Sequence, residues 1–359
     1  MDFTTQVQRL KIIMKLSNFD YTLPKDLIAQ YPSKVRGDDR LLIVNRKENT
    51  FQEKRFAEID NYFKKGDLLV LNNTKVIPAR IFGKRKTGGK VEVFIVDKTK
   101  KPIEVLLRPS ARIKENEKIL LESGDEAKIL GRTEIGRFVE FSKDLSKILG
   151  ECGHVPLPPY IERGDEPEDR RRYQTVYAER EGATASPTAG LHFTKETLDK
   201  LKKKGVEVAY ITLHVSYGTF APVKEENIEN HKMHSEFYHI SKEDVIIINK
   251  ARNNKSRIFS CGTTSLRTLE TCADNFIQSA HAYEETHFKE FEGFTKLFIY
   301  PGYKFKMVDA LITNFHLPKS TLLLLTSAFA GKDLLFKAYD YAIKNKFRFF
   351  SYGDAMLII

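Results

Sequence analysis

Between about Gly66 and Lys143 the hydrophobic residues fall in short runs: "DLLVLNN", "VIPARIFGKR", "KVEVFIVD", "PIEVLLRP", "KILLES", "EAKILGR" and "GRFVEFS". Turn clusters such as "TGG", "KTKK" and "SGD" separate them, a rhythm that predicts six or seven short strands in a small barrel or sandwich. Pro-rich "VPLPPY" then marks an extended linker, and beyond it the pattern alternates between strand and helix. Thr194 is placed to cap a helix over "KETLDKLKKK" that Gly205 ends, "VEVAYITLHV" reads as a strand, and "KEDVIIINKARNN" reads as a helix. "SRIFSCGTTS" reads as strand and turn, "LRTLETCADNF" as a helix, and "KLFIYPG" and "MVDALITNFHLP" as strands. Ser320 or Thr321 caps "LLLLTSAFA", Gly331 closes it, "KDLLFKAYDYAIKNK" is helical, and "FRFFSYGDAM" is a last strand. Such alternation predicts an α/β sheet, open or closed into a barrel, with the β-rich segment inserted. Residues 1–65 and 150–359 are expected to form the large α/β unit and 66–149 the small all-β one.

Polar residues interrupt the apolar pattern at recurring places. "DALITNFHLP" ends in Asn314 and His316, "AYITLHVSYGTF" turns at His214 and Tyr217, and "RIFS" runs into "CGTTS". "GATASPTAGLHF" puts His192 beside a turn of small residues. Ligands of parallel α/β folds bind outside the carboxyl ends of the strands, so this placement predicts a site. Strand alternation sets Asn314 and His316 on one face and Asp309 on the other. Thr263 and Thr264, between a strand and a helix, can offer hydroxyls and free N–H groups to a carboxylate or phosphate, or serve as an ordinary N-cap. "HKMHSEFYHI" brings His231, His234 and Glu236 together, which suits a metal only if further ligands exist; substrate contact or surface histidines fit better.

Composition narrows the class. The 359 residues are 41% hydrophobic and 30% charged, ordinary for a globular protein, and no run reaches the roughly 18 apolar residues of a membrane helix. Residues before Met14 lack a signal-peptide apolar core and read as an extension ahead of a more natural start. Cys152, Cys261 and Cys272 are odd in number and form no CxxC, which points to a reducing, cytoplasmic setting. The net charge of +11 fits a polyanionic partner or a lysine-rich surface. Lys84, Arg85, Lys86 and Lys90, on the hairpin "GKRKTGGK", are candidate phosphate contacts. No GxGxxG follows a strand, and GxxxxGK[ST] and GxSxG are absent.

From Met14 to the end, and in the same order, "FDYTLPKDLIAQYP", "GDLLVLNNTKVIPAR", "GHVPLPPYI", "PTAGLHFT", "TLHVSYGTFAPV", "HKMHSE", "GTTSLRTLE", "VDALITNFHLPKSTLLLLTSAFAG" and "RFFSYGDAM" resemble the S-adenosylmethionine:tRNA ribosyltransferase-isomerase family of queuosine biosynthesis. Thr184, Ser186, Ser216 and Tyr217 depart from the family's usual residues, a change of pocket shape and not of reaction. The resemblance implies an α/β-barrel-like large domain with an inserted small β-barrel. It implies transfer and isomerisation of the ribosyl group of S-adenosylmethionine onto 7-aminomethyl-7-deazaguanine at the wobble position of a tRNA, giving epoxyqueuosine, adenine and methionine. No metal, and no cofactor beyond the co-substrate S-adenosylmethionine, is expected, nor any membrane partner; a monomer is expected.

That chemistry needs acid–base groups, a role histidine fills. His192 and His316 are the expected pair, with Asp309 orienting a histidine or holding a ribose hydroxyl. Asn314 would bind adenine or the deazaguanine edge, and Thr263 and Thr264 the methionine carboxylate. His214, Tyr217, His231 and Glu236 are further candidates for substrate contact. Two rivals are a metal-dependent hydrolase built on His231, His234 and Glu236, and a non-catalytic RNA-binding module.

Overall fold

The structure, a computed structural model, describes residues 14–98, 100–215, 223, 225–279 and 289–359. After short 3-10 turns the chain forms the hairpin β1 (Arg40–Asn45) and β2 (Thr50–Arg55), then β3 (Leu68–Asn72) and the short β4 (Thr74–Val76). Strands β5 (Arg80–Arg85), β6 (Lys90–Asp97), β7 (Ile103–Arg108), β8 (Lys118–Leu121), β9 (Glu126–Arg132) and β10 (Arg137–Phe141) follow, then helices α1 (Leu145–Cys152) and α2 (Asp169–Arg172). The rest alternates: β11 (Arg180–Ala183), α3 (Lys195–Lys203), β12 (Glu207–Leu213), β13 (Glu236–Ile240), α4 (Lys242–Asn253), β14 (Ile258–Cys261), α5 (Gly262–Thr271) and α6 (Ala273–Ser279). It ends with β15 (Phe291–Thr295), β16 (Ala310–Asn314), α7 (Thr321–Ala330), α8 (Lys332–Lys344) and β17 (Ala355–Ile358).

The molecule is mixed α/β, with a closed six-stranded antiparallel barrel, β10-β7-β6-β5-β8-β9, and a nine-stranded mixed sheet. The barrel strands alternate because one face packs inward. Val91, Val93, Ile95, Val105, Leu107, Ile119, Ala127 and Ile129 fill its interior, the larger side chains each worth about 1.5–3 kcal/mol. Helix α1, capped by the Asp144 carboxylate on the N–H groups of Ser146 and Lys147, adds Ile148 and Leu149 to that core.

The large sheet runs β15-β13-β12-β3-β14-β16-β17-β1-β2. Strand β3 is buried at every position, as a strand covered on both faces must be. The sequence pattern grouped it with the small unit; its ladders to β12 and β14 put it at the centre of the large sheet. Apolar runs look alike in both settings, so patterning could not separate them.

Thr194 and Ser320 cap their helices as the sequence predicts, accepting from the N–H groups of Thr197 and Leu323, and Ser241, not singled out in the sequence, accepts from Asp244 N–H. Two strands do not form where apolar spacing predicts them. "KLFIYPG" is not a strand; its neighbour β15 is. Of "FRFFSYGDAM", only the end enters β17; Phe347, Phe349 and Phe350 bury in the core while the chain turns, held by the Asp354 carboxylate on the N–H groups of Arg40 and Arg348.

Candidate active site

Strands β12, β3, β14 and β16 run parallel, so their carboxyl ends, at Leu213, Asn72, Cys261 and Asn314, gather along one edge of the sheet. Asn72 ties that edge together. Its Nδ2 donates to Leu213 O and to Thr264 Oγ1, both at 3.1 Å, and its Oδ1 accepts from the N–H groups of Thr74 and Leu213.

Above this edge lies a cavity of about 40 Å³, lined by Ser186 to Ala189, Val215, Gly262 to Thr264, Thr313, Asn314, His316 and Leu322. Helix α5 begins directly at the end of β14, where Gly262 at φ +86° makes a turn that an L side chain resists. "GTTS" is thus the first turn of the helix and not a preceding loop. Its N-cap, Cys261, supplies no side-chain cap, so the first-turn N–H donors keep their capacity for an anion. Burial pushes the Cys261 thiol up to about 12, which leaves it uncharged there. Ser186 Oγ, on the same wall and only 4% exposed, has no hydrogen-bond partner among the described residues.

His316 is buried, and burial pushes its pKa down to about 3. Its neutral ring meets Thr313 Oγ1 through Nε2 at 2.8 Å. Its backbone is clamped from both sides: Tyr21 OH donates to its carbonyl, and its N–H donates to Tyr339 OH.

His192, on the 3-10 turn Thr188–His192, stands behind the cavity wall. Its Nδ1 is 2.7 Å from Asp39 Oδ2 and its Nε2 is 3.0 Å from Asn314 Nδ2. Asn314 Nδ2 also donates to Phe350 O at 3.2 Å, and its Oδ1 accepts from Thr188 Oγ1 at 2.9 Å. Burial raises the Asp39 carboxyl, but His192, Ser33 and Arg348 outweigh it and hold the carboxyl below its usual range.

The expected residues therefore divide. Thr263, Thr264, Asn314 and His316 share one cavity, and His192 is one hydrogen bond from it. Asp309 does not join them: it is exposed at the opposite end of β16, its carboxylate accepting from Ile258 N–H at 2.8 Å. The alternation argument gave its face but not its distance along the strand. His214 sits at the end of β12, with Nδ1 2.8 Å from Thr74 Oγ1, and burial, with Lys98 and Arg180, pushes it down to about 4. His231 packs on Phe298, and burial and His234 lower its pKa. Glu236 is buried in an ion pair with Arg267 of α5, so the carboxylate that a metal reading needs is committed elsewhere. Among the described residues no group of three or more His, Cys, Asp or Glu is arranged to hold a metal. Tyr217 lies outside the described residues.

On the barrel hairpin Lys84, Lys86 and Lys90 are exposed. Arg85 is not free for phosphate: it forms a two-point ion pair with Glu117, at 2.6 and 3.1 Å. Asp39, Thr188 and Asn72 were missed by sequence reasoning. "RGDDR" reads as a polar turn, and only the fold brings Asp39 to a histidine 153 residues away.

A family model described as "Queuosine biosynthesis protein" matches residues 16–358. A relative from Sulfurihydrogenibium sp. (strain YO3AOP1), named S-adenosylmethionine:tRNA ribosyltransferase-isomerase, is 52% identical over 349 residues, 96% of this chain and 100% of its own. A relative of the same name from Thermotoga maritima is 48% identical over 348 residues, again 96% of this chain and 100% of its own. A solved structure, the S-adenosylmethionine tRNA ribosyltransferase of Thermotoga maritima, matches at TM-score 0.53 and 38% identity, covering 95% of this chain and 100% of that one.

Proposed function

The chain belongs to the queuosine biosynthesis protein family, and from that membership we propose that it transfers and isomerises the ribosyl group of S-adenosylmethionine onto tRNA. The acceptor is 7-aminomethyl-7-deazaguanine at the wobble position, and the products are epoxyqueuosine in tRNA, adenine and methionine. The observation that carries the reading is the single cavity at the carboxyl edge of the sheet, which unites the uncapped start of α5, the Ser186–Ala189 wall and the end of β16.

The roles follow from the chemistry. The sulfonium acidifies the adjacent 5′ C–H, and a base removes that proton. Ring opening expels adenine, the neutral acceptor amine attacks, and epoxide closure expels methionine. His316, the histidine on the cavity wall, takes the acid–base role by its position there. Asn314 contacts a nucleobase. The α5 start, with Thr263, Thr264 and the hydroxyl of Ser186, holds the methionine carboxylate. The small barrel presents Lys84, Lys86 and Lys90 to the tRNA backbone while the unpaired anticodon base enters the cavity.

No cofactor beyond the co-substrate takes part, and the protein works as a cytoplasmic monomer. No helix among the described residues is long and apolar enough to cross a membrane. The test is direct: tRNA bearing the acceptor base and S-adenosylmethionine are incubated with the protein. Adenine release with a matching gain in nucleoside mass is expected, and methyl label should leave in methionine. Label in the RNA, or no adenine, would overturn the proposal.

A further inference from the structure

Asn314 has two amide hydrogens, and both are spent behind the cavity wall. Its Nδ2 lies 3.2 Å from Phe350 O and 3.0 Å from His192 Nε2, and neither of those residues lines the cavity. A carbonyl oxygen only accepts, so Phe350 fixes which end of the carboxamide is nitrogen. His192 Nε2 must then accept as well, which puts the ring proton on Nδ1, donated to Asp39 Oδ2 at 2.7 Å. Asn314 Oδ1 accepts from Thr188 Oγ1 at 2.9 Å, and Thr188 does line the cavity. A carboxamide oxygen has two lone pairs, so one remains.

We infer that Asp39 and His192 are positioning residues that lock Asn314 with only its oxygen toward the cavity, making that point a receptor for a nucleobase N–H. This rests on the ribosyl-transfer reading above. It excludes the two-point pairing of an asparagine amide with an adenine edge, because that pairing needs an amide hydrogen as well as the oxygen. The N–H belongs to an exocyclic amino group, either the 6-amino group of the donor's adenine or the 2-amino group of the acceptor's deazaguanine, and not to the ring N1–H of the latter. With the opposite ring tautomer, His192 and Asn314 would present hydrogen to hydrogen, and the amide would lose its fixed polarity.

The experiment compares kcat/KM in two arms, using full-length protein. One arm sets S-adenosylmethionine against its 6-deamino analogue. The other sets RNA carrying 7-aminomethyl-7-deazaguanine against RNA whose acceptor lacks the 2-amino group. The wild type should discriminate by about tenfold or more in one arm, the effect of a lost hydrogen bond at a buried acceptor. In Asp39→Asn that ratio should fall toward one, through KM for that substrate, while the ratio in the other arm is unchanged. Nitrogen NMR of the wild-type ring should show the Nδ1–H form. Should Asp39→Asn fail to fold, Asn314→Ala carries the same comparison and must also abolish the ratio. A uniform loss of turnover with both ratios kept would mean a structural role and overturn the inference. So would a wild type that discriminates in neither arm. A wild type that releases no adenine at all would instead overturn the activity, and this inference with it.

Discussion

Glu236 of β13 and Arg267 of α5 meet in an ion pair that is closed to solvent at both ends, with side chains 2% and 5% exposed. Arg267 also donates through Nε to Leu297 O at 3.0 Å. Removing the carboxylate leaves a buried guanidinium without its counter-charge, which costs about 3–5 kcal/mol. Glu236→Ala should therefore lower the unfolding free energy by that amount, read from the midpoint and slope of a urea titration followed by circular dichroism. Exhaustive chelation should leave wild-type turnover unchanged; loss of activity restored by a divalent ion would revive the hydrolase reading.

His316 gives a pH signature. Its ordinary value of 6.5 falls to about 3 in the folded protein. Below 6.5 the unfolded chain takes up a proton that the folded chain refuses. Its contribution is thus intact above 6.5 and declines by about 1.4 kcal/mol per pH unit as the pH drops toward 3. Urea titrations from pH 6.5 to 4 should show a shallower decline for His316→Gln than for the wild type. His316→Ala should also lower kcat by about 10²–10⁴-fold, the usual worth of a general acid or base.

Ser186 makes the carboxylate subsite testable without loss of fold. Its hydroxyl has no partner among the described residues, so Ser186→Ala should leave thermal stability equal or slightly raised. If that hydroxyl meets the methionine carboxylate, KM for S-adenosylmethionine rises several-fold. KM for the decarboxylated donor should then be the same in both proteins; an equal rise for both donors would remove Ser186 from the subsite.

Neutralising Lys84, Lys86 and Lys90 to glutamine should reduce the slope of log affinity against log salt by about 2, as loss of three phosphate contacts predicts. Arg85→Ala should behave differently. It breaks the ion pair with Glu117 and lowers the unfolding midpoint of the barrel, with the salt slope unchanged.

Gly190 is closely packed: a Cβ there would stand 2.1 Å from Tyr177 OH and 2.8 Å from Thr175 Cγ2. Gly190→Ala should therefore push the Thr188–His192 turn out of place. The expected loss of turnover exceeds the loss of stability, read as the ratio of kcat/KM to unfolding midpoint across the variant series.

The strand-end rule made Thr263, Thr264, Asn314 and His316 legible as one site, because it depends on direction along the chain and not on contacts. Asp39 and Thr188 were not legible. Their roles arise from hydrogen bonds spanning 153 and 126 residues, which leave no local signal. Asp309 misled for a related reason: strand period sorts faces, while β16 separates Asp309 from Asn314 by its length, about 16 Å. "FRFFSYGDAM" misled because alternating aromatics that fill a core imitate a ladder.

The chain is pinned where it enters and leaves the barrel. Arg80 and His154 exchange backbone hydrogen bonds, and the Gln174 side chain holds both the N–H and the carbonyl of Val76. β4 is further stitched to β11. The barrel's own ties are Arg80 Nη2, which donates to Leu157 O at 3.3 Å, and Lys98, which pairs with Glu181 of β11 at 3.5 Å. A crevice of about 40 Å³ must therefore widen before it admits a ligand that needs roughly 300 Å³.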